Sequence, residues 1–146
     1  MRVLGIDYGR VKIGLAISGG TLSEPLEVIR YKQSLLGYHK QVLGGGAEKN
    51  IKLLSEQLKQ IIERENIEKI VVGISEGAMG VESMEFSVNL GKVLNTPIET
   101  FDETLSTRDA QDLSRVAGIN RKKRRDMEDA FAASIMLQNY LDSNTA

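Results

Sequence analysis

The sequence predicts an α/β fold: a mixed five-stranded sheet, its first three strands antiparallel, flanked by helices. Three observations carry that expectation. Two strand-length apolar pieces open the chain with Gly9-Arg10 between them. Ile70-Val71-Val72-Gly73-Ile74 is a nearly continuous β-branched run, the pattern of a strand buried on both faces of a parallel arrangement. Between these regions, Ile51, Leu54, Leu58, Ile61 and Ile62 recur at helical spacing, while Lys and Glu cover the other positions.

Taken in order, residues 2–8 and 11–18 are expected as strands joined by a tight hairpin at Gly9-Arg10. A third strand is expected at 26–31, after Pro25. Residues 32–46 have little periodicity and end in Gly44-Gly45-Gly46, which reads as a mobile loop. A helix follows over 48–65, then a central parallel strand over 68–75, placed beside the strand of Asp7. Residues 82–94 read as a helix and 97–102 as a fifth strand. Ser106 with Asp109 is a capping-box variant that opens another helix, ended by Gly118. The last helix is expected over 126–141, where Ala130, Ala133, Ile135, Met136, Leu137, Tyr140 and Leu141 make a wide apolar face.

At 146 residues the chain suits one domain, 1–146, large enough to bury a core without staples. Zero cysteines exclude disulfides, cysteine nucleophiles and thiolate zinc sites. No signal-peptide shape opens the chain, and its apolar runs fall far short of the roughly 18 residues a membrane helix requires. A soluble, cytoplasmic protein with no membrane partner is expected; no oligomeric state follows. A net charge of −1 gives nucleic acid no overall invitation, so any such argument must be local. Locally, residues 115–125 hold six bases (Arg115, Arg121, Lys122, Lys123, Arg124, Arg125) and no acid. Alone, such a run is ordinarily a solvated face.

The chemistry concentrates on acids at strand ends. In Gly5-Ile6-Asp7-Tyr8-Gly9 a carboxylate ends the first strand at the edge of a core, where an unpaired charge is costly and a cation or basic partner is expected. Asp-x-Gly is also ordinary turn chemistry. Ser75-Glu76 and Asp102-Glu103 end two further strands, and ligands of open α/β sheets gather at such carboxyl ends. Asp129 precedes Ala130-Phe131-Ala132-Ala133, small and apolar residues that let the last helix approach the sheet closely. Acids at helix starts are also simply favoured by the macrodipole. Together, Asp7, Glu103 and Asp129 suit a two-metal phosphodiester hydrolase, whose ions lie about 4 Å apart and take carboxylate ligands from separate elements. Arg121, Lys122, Lys123, Arg124 and Arg125, just upstream of Asp129, would hold a phosphate backbone there, with Arg10 and Lys12 contributing from the other side. His39 is the lone histidine and no Gly-x-Ser-x-Gly elbow or P-loop occurs, so acyl transfer and P-loop chemistry are disfavoured.

Five ordered motifs, Gly5 to Gly9, Lys12-Ile13-Gly14-Leu15-Ala16-Ile17-Ser18, Val71-Val72-Gly73, Asp102-Glu103-Thr104-Leu105-Ser106-Thr107 and Asp129 to Ala133, resemble the bacterial YqgF family, also called RuvX or Holliday-junction-resolvase-like. The resemblance spans residues 2–142. It implies a ribonuclease H-like fold and a metal-dependent nuclease that processes the 5′ end of the small-subunit rRNA precursor, with Asp7, Glu103 and Asp129 on the family's acidic positions. The implied cofactor is Mg2+ or Mn2+, as two ions with substrate bound. Glu76 stands where the family often has proline-leucine-asparagine and offers a further metal ligand, as does Asp102. Thr104 replaces an arginine, which shifts phosphate contact toward residues 121–125. The alternatives are a resolvase of branched DNA and a non-catalytic nucleic-acid-binding module. An actin-like or sugar-kinase phosphotransferase would need a second lobe, for which the chain is too short.

Overall fold

The computed structural model describes residues 1–30, 46–102 and 126–144. The elements are β1 (Val3–Asp7), β2 (Lys12–Ser18), β3 (Ser23–Arg30), α1 (Gly46–Glu65), β4 (Lys69–Ile74), α2 (Ala78–Val93), β5 (Ile98–Asp102) and α3 (Glu128–Ser143). The strands form one five-stranded sheet in the order β3-β2-β1-β4-β5. β1, β2 and β3 pair antiparallel, while β4 runs parallel to β1 and β5 parallel to β4. The expected sheet, and the adjacency of the Asp7 strand to the β-branched strand, are therefore both observed.

Strand alternation divides the core in two. Leu4, Ile6, Ile13, Leu15, Ile70 and Val72 point to the face covered by α1 and α2, where they meet Leu54, Leu58, Ile61, Phe86 and Leu90. Val3, Ala16 and Val71 point to the other face and meet Ala133, Met136, Leu137, Tyr140 and Leu141 of α3. β1 and β4 are covered on both faces, which is why their apolar runs are nearly continuous. Of the expected α1 stripe, Ile51 lies outside the described side chains. Among the described residues, no helix is long and apolar enough to cross a membrane.

Several boundaries differ from expectation for definable reasons. The β1–β2 connection spans Tyr8 to Val11, longer than a two-residue hairpin. β3 starts at Ser23 and runs through Pro25, which is tolerated because β3 is an edge strand and the ladder shifts register at Leu15/Ala16, opposite Pro25. α2 starts at Ala78, four residues before the expected start at Glu82. Gly77, with φ of 73°, makes the turn into it, and a side chain at Gly80 would place a Cβ 2.0 Å from the Ser75 carbonyl oxygen. Two glycines that look like loop residues thus seat the first turn of α2 on the end of β4. The expected mobile loop at 32–46 lies outside the described residues up to the start of α1, as does the expected helix between Ser106 and Gly118.

Candidate functional site

Asp7 ends β1 on the face that carries α3. Across the sheet its register partners are Gly14 of β2 and Gly73 of β4, and Gly73 pairs in turn with Phe101 of β5. The carboxylate is thus flanked by two residues without side chains. α3 descends onto this row. A Cβ on Gly14 would lie 1.9 Å from the Asp129 carbonyl oxygen and 2.8 Å from the Ala130 nitrogen, so the first turn of α3 rests directly on the backbone of β2. Ala130 and Ala133 are buried on the side of α3 that meets the sheet. Their small size permits the approach. It sets Asp129 over the direct ladder partner of Asp7.

Lys12 shares this face, and its Nζ lies 3.0 Å from Asp129 Oδ2, with about a third of each side chain exposed. Expected as a phosphate contact, Lys12 is here the counterion of a candidate metal ligand. Arg10 turns to the opposite face, where its Nε donates to both carboxylate oxygens of Glu82 at 3.0 and 2.9 Å. Tyr8 points the same way and stacks on Phe86, ring centroids 4.8 Å apart. The connection that follows Asp7 is therefore held from both sides of the sheet, by α2 through Tyr8 and Arg10 and by α3 through Lys12.

The remaining candidates separate. Asp102 pairs in register with Ile74, which packs on the α1/α2 core, so the alternation of β5 directs Asp102 away from the face of Asp7. It is no partner for Asp7 and Asp129, because one residue of register moves a side chain to the other face. Glu76 is exposed in the connection between β4 and α2. Glu103, Arg121, Lys122, Lys123, Arg124 and Arg125 lie outside the described residues. Among the described residues, no group of three Asp, Glu, His or Cys side chains gathers. Asp7 and Asp129 lie on the same face and offer hard oxygen donors, with Lys12 beside Asp129. That donor set fits a Mg2+-like ion, which typically takes only one or two carboxylates and completes its shell with water and phosphate.

At the far end of the same face, Lys69 Nζ donates to Tyr140 Oη at 2.6 Å, and Tyr140 Oη donates to Glu99 Oε2 at 2.8 Å. The Glu99 contact first, and Tyr140 second, hold the Lys69 ammonium above its usual range. Lys69 and then Tyr140 hold the Glu99 carboxyl below its own. With Phe101 edge-on to Tyr140 at 5.7 Å, this cluster ties the later turns of α3 to β4 and β5.

A family model described as RuvX, Holliday junction resolvase, matches residues 1–143. The chain belongs to the RuvX family. Among RuvX relatives, a protein of Halothermothrix orenii named "Putative pre-16S rRNA nuclease" is 35% identical over 97% of this chain and 95% of its own length. One of the same name from Bacillus cytotoxicus is 30% identical over 98% and 99%. In fold, the RuvX chain matches Thermus thermophilus RuvC, solved in complex with a Holliday junction substrate, with a TM-score of 0.56 at 14% identity over 100% of this chain and 96% of that one. Fowlpox virus resolvase matches with a TM-score of 0.56 at 11% identity, over the full length of both chains. The fold is ribonuclease H-like.

Two site residues were not legible beforehand. Gly14 carries no chemistry and only its closeness to Asp129 reveals it. Glu82 reads as an ordinary polar helix position, and its partner Arg10 lies 72 residues away. No local pattern signals either.

Proposed function

We infer that this RuvX chain is a single-domain, cytoplasmic endonuclease, dependent on a divalent metal, that hydrolyses phosphodiester bonds in the precursor of the small-subunit ribosomal RNA. The observation that carries this reading is the seating of Asp129 on Gly14, which brings a second carboxylate to the face of Asp7. The name shared by the relatives supports RNA as the substrate. Asp7 and Asp129 would hold Mg2+ or Mn2+, with Glu103, the next residue in sequence after β5, as the third ligand. When bound, two such ions supply water activation and neutralise the departing oxygen. The protein's own groups do the rest. Lys12 balances the charge of Asp129 and lies where a phosphate would approach. Arg10, Arg121, Lys122, Lys123, Arg124 and Arg125 hold the backbone.

Magnesium-dependent cleavage of a precursor rRNA fragment by wild type and Asp7→Asn tests the reading. The variant should lose cleavage and keep most of its affinity, since a ligand charge is removed and the basic surface is not. Unchanged cleavage by the purified variant would refute it. The description of the family model favours one second reading, a resolvase of four-way DNA junctions. Selective cutting of a junction over the RNA would establish that reading instead, and cutting of neither would leave a binding module.

A further inference from the structure

Lys12 has one ion pair among the described residues, and its partner is a candidate metal ligand: Nζ lies 3.0 Å from Asp129 Oδ2. The two ends of that pair differ in freedom. Asp129 belongs to the first turn of α3, whose backbone rests on β2 so closely that a Cβ on Gly14 would meet the Asp129 carbonyl oxygen at 1.9 Å. The fold sets its position. Lys12 is the first residue of β2, and its ammonium rides on a flexible four-carbon stem with about a third of the side chain exposed. The lysine is the partner that can move. An ion pair this exposed contributes little net stability, so little opposes its exchange for a stronger cation.

The register decides where a released ammonium would be. Asp7 pairs with Gly14, and Lys12 lies two residues beyond Gly14 on the same face, past the carboxyl end of β1. Ligands of such sheets gather there. While Lys12 and Asp129 neutralise each other, neither a metal ion nor a phosphate meets its partner at full charge. We propose that Lys12 is an exchangeable cation: it pairs with Asp129 until a divalent ion takes that carboxylate, and it then contacts the phosphodiester backbone of nucleic acid at the Asp7 site. Metal and nucleic acid thereby favour each other's binding reciprocally, through one lysine. The proposal rests on the nuclease reading for the identity of both ligands.

Two measurements test it, and neither requires cutting. Calorimetric titration with Mn2+, in the absence of nucleic acid, compares wild type with Lys12→Ala, in which the ion displaces no ammonium. Affinity should rise roughly fivefold, the effect of removing one like charge at about 4 Å in a water-like medium. Equal or weaker binding overturns the proposal, since Asp129 would accept the ion without giving up Lys12.

Anisotropy titrations of a short fluorescein-labelled single-stranded RNA, with EDTA present, measure what a released Lys12 does. Asp129→Asn removes the carboxylate charge, as an occupying ion would. It should bind the RNA on the order of tenfold more tightly than wild type, the size of one charge-assisted hydrogen bond, and its slope of log affinity against log salt should steepen by about 0.7. Loss of a repelling acid would also tighten binding, but independently of Lys12. In a Lys12→Ala background, therefore, the same Asp129→Asn change should give a gain well below tenfold and leave the slope nearly unchanged. Equal gains in the two backgrounds overturn the proposal. A labelled four-way DNA junction titrated alongside identifies which nucleic acid Lys12 meets. Should thermal melts show Asp129→Asn unfolded, the Mn2+ titration decides alone. The two readings fail separately. Coupling through Lys12 in a protein that cuts neither probe with metal leaves the exchange standing and removes the nuclease, whereas cutting with equal gains removes the exchange alone.

Discussion

Gly14→Ala is the smallest change that should disable the site without touching a charged group. The added Cβ would sit 1.9 Å from the Asp129 carbonyl oxygen and 2.2 Å from its carbonyl carbon, both backbone atoms that no rotamer change can move aside. Restoring an ordinary contact requires the first turn of α3 to retreat by about 1.5 Å. The later turns resist this, because Met136, Leu137 and Tyr140 are buried against the sheet. Overpacking of this kind costs about 1–3 kcal/mol. For a chain of this size that corresponds to a fall in melting temperature of roughly 2–12 °C. The retreat also carries Asp129 away from Asp7, and a misplacement of about 1 Å at a reacting centre costs on the order of a hundredfold in rate. Circular dichroism melts and a cleavage time course measure the two effects. A variant that melts and cleaves like wild type would show that α3 does not need its close seat on β2, and the proposal that Asp7 and Asp129 act together would lose its structural basis.

Lys12→Ala removes the cation beside Asp129, so Mn2+ should bind more tightly by calorimetry, with a stability change of under about 1 kcal/mol for a pair this exposed; weaker Mn2+ binding would contradict the counterion role. The Lys69–Tyr140–Glu99 cluster should shape stability at both pH extremes. Glu99, depressed from 4.5, contributes above that value and loses its contribution as pH falls through the lower folded value. Lys69, raised from 10.5, contributes below that value and loses its contribution as pH rises through the higher folded value. Tyr140→Phe should therefore lower the melting temperature by a few degrees at neutral pH and less at either extreme, as read from melts across pH. Replacing Arg121, Lys122, Arg124 and Arg125 together by alanine should weaken RNA binding regardless of sequence and flatten its salt slope by about 0.7 per lost contact; an identical slope would reduce the run to a solvated face.

Much of this architecture was legible in the sequence because its signals are local. The β-branched run of β4 requires cover on both faces and so a central place, which put it beside β1. The small residues after Asp129 announced a close helix, and they are buried as that reading requires. The signal failed where tertiary contact overrides local character. The helix was expected to start only at Glu82, yet the turn at Gly77 and the close contact of Gly80 with Ser75 let α2 start at Ala78. Pro25 read as a strand boundary, yet an edge position accommodates it. Asp102 shared a motif with Glu103, but strand alternation turns it to the far face. Arg10 and Lys12 were read as contributing to phosphate contact, and both have carboxylate partners distant in sequence, visible only once topology places α2 and α3 on opposite faces.

The central claim is that Asp7 and Asp129 share a divalent ion on the α3 face of the sheet. Anomalous diffraction from crystals of the protein grown with Mn2+ tests it most directly. The account predicts a manganese peak within coordination distance of both carboxylates, lost in Asp7→Asn crystals grown in the same way. A peak bound elsewhere, or none at Asp7 and Asp129 under conditions in which the protein cleaves RNA, would contradict it.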